Sequence, residues 1–184
     1  MPITNSSSRY GIITKILHWA IAVLFFLQIY WIYMKSYWFE KGSKQGILYL
    51  VYYHKSTGVI LMGLGTLFIL WKLINKKPSL PRGMPAYEVF LAKLTHFILS
   101  TVIIVMPLSG ILMSMGSGKA IKVFNIWVVP QLIDKNKIIA SNAHAAHEWC
   151  SYVVLIAVGL HVLAALKHHF IDKDNILKRM IPFK

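Results

Sequence analysis

The sequence predicts an all-α membrane protein, a four-helix transmembrane bundle. Of its 184 residues, 57% are hydrophobic and 14% are charged, whereas soluble domains carry about 45–50% and about 25%. A chain of this length has too little interior to hide so much apolar surface from water. Its single cysteine, Cys150, excludes a disulfide scaffold. Four segments each contain about 20 mostly apolar residues, the length that crosses a bilayer.

The four predicted spans are nearly free of charged residues, and one domain of about residues 9–182 accounts for them all. In chain order the spans are about 12–33, 47–71, 89–115 and 143–166. The polar start of the chain lacks the basic region and cleavage site of a signal peptide, so we expect the first span to be retained.

The links between the spans are short and differ in character. Pro78, Pro81 and Pro85 follow the second span and rule out a continuous helix there. The longest link, 116–142, contains Trp127. Because tryptophan is enriched at membrane interfaces, we expect part of this link to lie in the interface.

The positive charges predict the orientation. Twelve of the twenty Lys and Arg residues fall on the side of the two termini, and eight fall on the other side, so the termini are expected in the cytoplasm. The twelve are Arg9, Lys15, Lys72, Lys76, Lys77, Arg82, Lys93, Lys167, Lys173, Lys178, Arg179 and Lys184. The net charge of +14 invites a nucleic-acid interpretation. The basic residues are spread over every loop, however, so no nucleic-acid partner is expected.

Histidines are the main polar exceptions inside the spans. Ionisable side chains there are costly and indicate function by default, and imidazole is a common axial ligand of haem iron. His18 and His161 lie near the inner face on the first and fourth spans, whereas His54 and His147 lie near the outer face on the second and fourth. Two histidine pairs at two depths are what two six-coordinate b haems between helices require. For any single histidine, a hydrogen bond to a neighbouring helix explains it equally well.

The fourth span connects the two levels. His147 and His161 are 14 residues apart, which is within about 40° of four whole turns and a rise of about 21 Å. His144 is about 100° away from His161 and is expected at the rim. His96, on the third span at the inner level, is open to three interpretations: a competing ligand, a donor to a haem propionate, or a donor to a quinone carbonyl.

Four sequence segments resemble the bacterial cytochrome b561 family over nearly the whole chain. The closing segment from His147 to Pro182, HEWCSYVVLIAVGLHVLAALKHHFIDKDNILKRMIP, is the most specific. The other segments are RYGIITKILHWAIAVLFF (9–26), HKSTG (54–58) and LTHFILSTVIIVMPLSG (94–110). The link before the fourth span is the least similar to the family.

The resemblance implies a four-helix cytochrome of the bacterial inner membrane with two b haems. The family's ligands fall on His18 with His161 for the cytoplasmic haem, and on His54 with His147 for the periplasmic haem. The best-described bacterial member is a superoxide oxidase that passes the electron to ubiquinone, so superoxide and ubiquinone are the implied substrates.

Basic residues are compatible with both substrates. Lys55, Lys119 and Lys122 lie on the outer side. Their positive potential would attract an anion such as superoxide, and binding of anionic lipid headgroups explains these residues equally well. Near the inner face, we regard three residues as candidates to bond a quinone oxygen: His96, Lys93 and Lys72. The alternative function is a cytochrome subunit that carries electrons between quinone and a partner dehydrogenase docked on the basic faces.

Overall fold

Four long helices make up most of the protein. The computed structural model describes residues 2–81 and 83–181. The elements are α1 (Ile12–Glu40), α2 (Lys44–Ile74), α3 (Ala86–Gly116), β1 (Ile121–Val123), β2 (Trp127–Val129), α4 (Lys137–Phe170) and α5 (Ile176–Met180). By length and composition, helices α1 to α4 can each cross a membrane. The predicted four-helix membrane fold class is confirmed. Arg82, Lys184 and the predicted domain end at residue 182 lie outside the described residues.

The helices extend beyond the predicted spans. A helix of 29 residues such as α1 is about 44 Å long, which matches the bilayer with its headgroups and not the hydrocarbon core alone. Helix α4 begins at Lys137 because the side chain of Asn136 accepts hydrogen bonds from the backbone N–H groups of Ile138 (3.0 Å) and Ile139 (3.1 Å), which caps the helix. Hydropathy detects only the apolar part of such a helix.

The helices pack as two pairs. Helix α1 packs along α2 and α3 packs along α4, with a smaller contact between α2 and α3. Within the described residues, α1 does not approach the backbone of α3 or α4 as closely. The space between the two pairs is therefore bridged by side chains, and the histidines lie there.

A β-hairpin covers one end of the bundle, called here the hairpin end. Strands β1 and β2 are antiparallel, and Phe124 and Asn125 in the connecting turn have positive φ angles. The hairpin is attached to α2 through Ser56, which is fully buried. The Ser56 hydroxyl donates to the carbonyl of Lys122 (3.1 Å) and accepts from the N–H of Phe124 (3.2 Å). The link after the third span thus contains ordered structure that hydropathy does not indicate.

The opposite end, called here the terminal end, holds both ends of the described chain, at residues 2 and 181. The ammonium of Lys15, only 5% exposed, donates to the carbonyl of Ile181 (2.9 Å), and the indole of Trp19 donates to the carbonyl of Met180 (2.8 Å). The segment after α4, including α5, therefore folds back onto the start of α1, next to the level of His18.

Candidate haem-binding site

Two histidines from facing helices meet near the hairpin end. His54 on α2 and His147 on α4 are half-buried. Their ring centroids are 6.1 Å apart, and the ring planes are inclined by 82°. Within the described residues, the backbones of α2 and α4 are not closely packed against each other. The two rings therefore face each other across the space between the helix pairs.

A second histidine pair lies towards the terminal end. His18 on α1 and His161 on α4 have ring centroids 6.1 Å apart, with ring planes inclined by 53°. The two pairs occupy separate levels because His147 and His161 are four turns apart on α4. The structure thus brings together the same two pairs that the sequence predicts.

Both pairs have the dimensions of a bis-imidazole metal site. A bond from an imidazole nitrogen to a first-row metal is about 2 Å long. Two such bonds in line, plus the distance from each nitrogen to its ring centre, give about 6 Å between centroids. In addition, His18 Nδ1 and His54 Nδ1 are buried without a hydrogen-bond partner in the described part of the chain. The separation of the rings fits iron bound between them through Nε2, which would leave each Nδ1 as a second ring nitrogen that needs an acceptor.

The orientation of His147 is fixed by α3. Its Nδ1 lies 2.9 Å from the carbonyl oxygen of Met106 and 3.1 Å from the hydroxyl of Ser109. Because a carbonyl only accepts, Nδ1 carries the proton and Nε2 keeps its lone pair for a metal. This outer hydrogen bond is typical of metal-binding histidines. Gly110 makes room for the ring, since a Cβ there would lie 3.2 Å from His147 Cε1.

His96 lies beside the terminal-end pair. Its ring meets that of His161 edge-on, with 5.2 Å between centroids, which is shorter than the roughly 6 Å of a bis-imidazole site. Its Nδ1 donates to the carbonyl of Ala92 (2.6 Å). This geometry favours His18 over His96 as the partner of His161. Among residues 2–81 and 83–181, Nε2 of His96 has no hydrogen-bond partner and is available to another ligand.

The sequence reasoning missed one polar residue at the site, Gln28. Its amide reaches from α1 to α2 and donates to the carbonyl of His54 (3.2 Å) and the hydroxyl of Thr57 (2.8 Å). The available signal was a lone amide side chain inside an apolar span, which is costly unless it is paired.

Comparison with known proteins places the whole chain in one family. A sequence model of prokaryotic cytochrome b561 matches residues 9–183. The chain belongs to the prokaryotic cytochrome b561 family. It is 34% identical to cytochrome b561 homolog 2 of Escherichia coli K12, over 98% of this chain and 95% of that protein. Identity to cytochrome b561 homolog 1 of the same organism is 31%, over 90% and 93%.

A third relative carries a functional name. The chain is 29% identical to the probable superoxide oxidase CybB of Yersinia pestis, over 96% of this chain and 97% of that protein. Membership of the cytochrome b561 family makes this protein a bacterial membrane protein of electron transfer and implies b-type haem.

The lysines at the hairpin end of this cytochrome b561 are not equivalent. The ammonium of Lys55 donates to the hydroxyl of Ser114 (2.7 Å), which donates to the carbonyl of Lys119 (3.0 Å). Lys119 and Lys122 are exposed. Lys55 and Lys122 line a groove of about 200 Å³ beside the hairpin. The three predicted lysines therefore belong to one surface near His54.

The lysines at the terminal end also differ. Lys72 on α2 donates to the hydroxyl of Ser100 on α3 (3.1 Å), and Ser100 is one turn from His96. Lys93 is exposed and makes no side-chain hydrogen bond or ion pair within residues 2–81 and 83–181. Lys72, Ser100 and His96 thus form one polar group next to the terminal-end histidine pair, and Lys93 is not part of it.

His168 is buried although it lies in the last turn of α4. It is 7% exposed, and its Nδ1 lies 2.7 Å from Asp174 and 3.1 Å from Asp172. The ammonium of Lys167 bridges Glu88 (2.9 Å) and Asp172 (2.7 Å). These contacts join α3, α4 and the segment before α5. The burial of His168 depends on these tertiary contacts, so its position at the end of a helix does not predict it.

Proposed function

We propose that this protein is a di-haem superoxide oxidase that transfers electrons from superoxide to ubiquinone. The observation that carries the proposal is the pair of facing histidine sites, His54 with His147 and His18 with His161, each 6.1 Å between ring centroids. Two sites at separate levels provide a route across the membrane. The superoxide substrate is suggested by the name of the Yersinia pestis relative.

The route follows α4. The two histidines of this helix are separated by a rise of about 21 Å, which covers much of a bilayer core of about 30 Å. Haem iron between two imidazoles takes up and releases one electron at a time. Each superoxide that loses one electron becomes dioxygen, and two such electrons with two protons reduce ubiquinone to ubiquinol.

The hairpin end is the proposed site of superoxide oxidation, on the periplasmic side of the inner membrane. Lys119 and Lys122 are exposed and Lys55 lies beside His54. A concentration of positive charge raises the encounter rate of an anion with the surface. The ammonium of Lys55 is held by Ser114, so its charge stays close to the outer histidine pair.

The terminal end, with cytoplasmic termini, is the proposed site of ubiquinone reduction. Lys72 and Ser100 are hydrogen-bonded to each other, and His96 lies against His161. The ammonium of Lys72 and the hydroxyl of Ser100 donate hydrogen bonds to a quinone oxygen, whereas Nε2 of His96 donates only when the ring is protonated, because Nδ1 already donates to the carbonyl of Ala92. Lys72 also supplies exchangeable protons next to the group being reduced.

The test uses the purified protein and a matched pair of variants. We expect wild type to bind two b haems per chain, with bis-histidine spectra, and to reduce ubiquinone when superoxide is generated. His147→Ala should lose the hairpin-end haem and this activity, whereas His144→Ala, at an exposed position one turn away, should retain both. One haem in wild type would refute the di-haem proposal. Two haems without superoxide-driven reduction would favour the subunit of a partner dehydrogenase.

A further inference from the structure

The amide orientation of Gln28 is determined by its neighbours. Thr57 donates its only hydroxyl proton to the carbonyl of Tyr53 (2.7 Å). The amide atom that contacts the Thr57 hydroxyl at 2.8 Å must therefore be the donor, Nε2. The same Nε2 donates to the carbonyl of His54, which also only accepts. The other amide atom of Gln28, Oε1, is left as a free acceptor.

Gln28 and His54 each have one buried side-chain atom without a partner in the described part of the chain. These atoms are Oε1 of Gln28 and Nδ1 of His54. When Nε2 of a histidine binds a metal, its Nδ1 carries a proton and is a donor. A free acceptor and a free donor thus belong to two residues that touch. Buried polar groups are costly to leave unpaired, and buried water commonly bridges such groups.

The partner histidine shows what is missing at His54. Nδ1 of His147 has a protein acceptor, the carbonyl of Met106 at 2.9 Å. Metal-binding histidines almost always donate this second N–H, which sets how strongly the ring donates to the metal. At His54, Gln28 is the residue that contacts the ligand-bearing turn of α2 and has a free acceptor.

We propose that Gln28 is a positioning residue for His54 and accepts the hydrogen bond of its Nδ1–H through one bridging water. The inference rests on the proposed binding of haem by His54. An acceptor at Nδ1 makes the imidazole a stronger electron donor, which stabilises oxidised iron and lowers the reduction potential. Gln28 thereby tunes the haem that receives the electron from superoxide.

The test is a redox titration of the purified protein with both haems bound. Gln28→Met keeps the length of the side chain but removes the acceptor, so the potential of the hairpin-end haem should rise. Gln28→Glu supplies a stronger acceptor, so that potential should fall. In both variants the electron paramagnetic resonance signal of the oxidised hairpin-end haem should shift. The terminal-end haem and the variant Gln45→Met, at an exposed glutamine, should match wild type.

The outcomes separate the two proposals. Fewer than two haems in wild type would refute the proposed function. Two haems with unchanged potentials in both Gln28 variants would refute the tuning role and leave the function standing. Shifts in the same direction in both variants would mean that Gln28 only packs the helices, which also overturns the inference. If Gln28→Met loses haem, the nearly isosteric Gln28→Glu still tests the inference, because an unchanged or raised potential of its hairpin-end haem would refute the tuning role.

Discussion

Replacing Gly110 with alanine would place a methyl group against the ring of His147. The added Cβ would lie 3.2 Å from Cε1 and 3.3 Å from Nδ1 of His147, whereas carbon atoms prefer about 3.5–4.0 Å. The ring must therefore retreat by roughly 0.3–0.8 Å. The same movement stretches the 2.9 Å bond to Met106 towards the limit of about 3.2 Å for a good hydrogen bond.

The expected cost of this crowding is about 1–3 kcal/mol. Because His147 is a proposed ligand, that cost should weaken retention of the hairpin-end haem by roughly 5- to 150-fold. Gly110→Val should be worse, since its branched side chain adds atoms in the same place. The measurements are haem per chain, the potential of each haem, and the rate of haem release on warming.

The matched control is Gly63→Ala on α2. Gly63 is exposed and a Cβ there would meet nothing within 4 Å, so the same chemical change should leave both haems in place. The prediction fails if Gly110→Ala retains both haems with unaltered potentials and release rates. It also fails if Gly63→Ala loses haem to the same extent, because the loss would then reflect helix stability in general.

Three further changes have distinct expected outcomes. His96→Ala should retain both haems by absorption spectroscopy but slow ubiquinone reduction, and loss of one haem would make His96 a ligand. Lys72→Met should raise the KM for ubiquinone. Lys93 does not contact Ser100, so Lys93→Met should have the KM of wild type in the same assay. Equal effects of the two substitutions would refute the Lys72 site. Asn136→Ala removes the cap of α4 and should destabilise the protein by about 1 kcal/mol, measured by thermal unfolding; an unchanged Tm would contradict the capping role.

Much of the fold follows from the chain itself. Long apolar segments leave no alternative to membrane-spanning helices, because unpaired backbone groups are too costly in lipid. Helical periodicity then fixes the depth and face of each residue, which is why the spacing of His147 and His161 is enough to place both on one side of α4. The ends of the helices are harder to predict from the sequence, because hydropathy marks only the apolar part of a helix and Asn136 caps α4 in a polar stretch.

The site was only partly predictable for a physical reason. The depth of a residue in the membrane and its face on the helix do not determine which neighbouring side chain it contacts. That contact depends on the rotation and spacing of the packed helices. The contact of Gln28 with His54 and of His147 with Met106 is of this kind. So is the burial of His168, which depends on carboxylates from the chain segment that follows α4.

The sequence by itself determined the membrane class, the four helices, and the levels at which histidines lie. These features depend on hydrophobicity and on a fixed helical repeat, which act locally along the chain. Only the tertiary structure decided that helices pack as α1 with α2 and α3 with α4, with histidines facing across the space between. It also decided which ring nitrogens have acceptors and which lysines are held in place. Those properties arise from side chains of different helices meeting, and no local pattern encodes them.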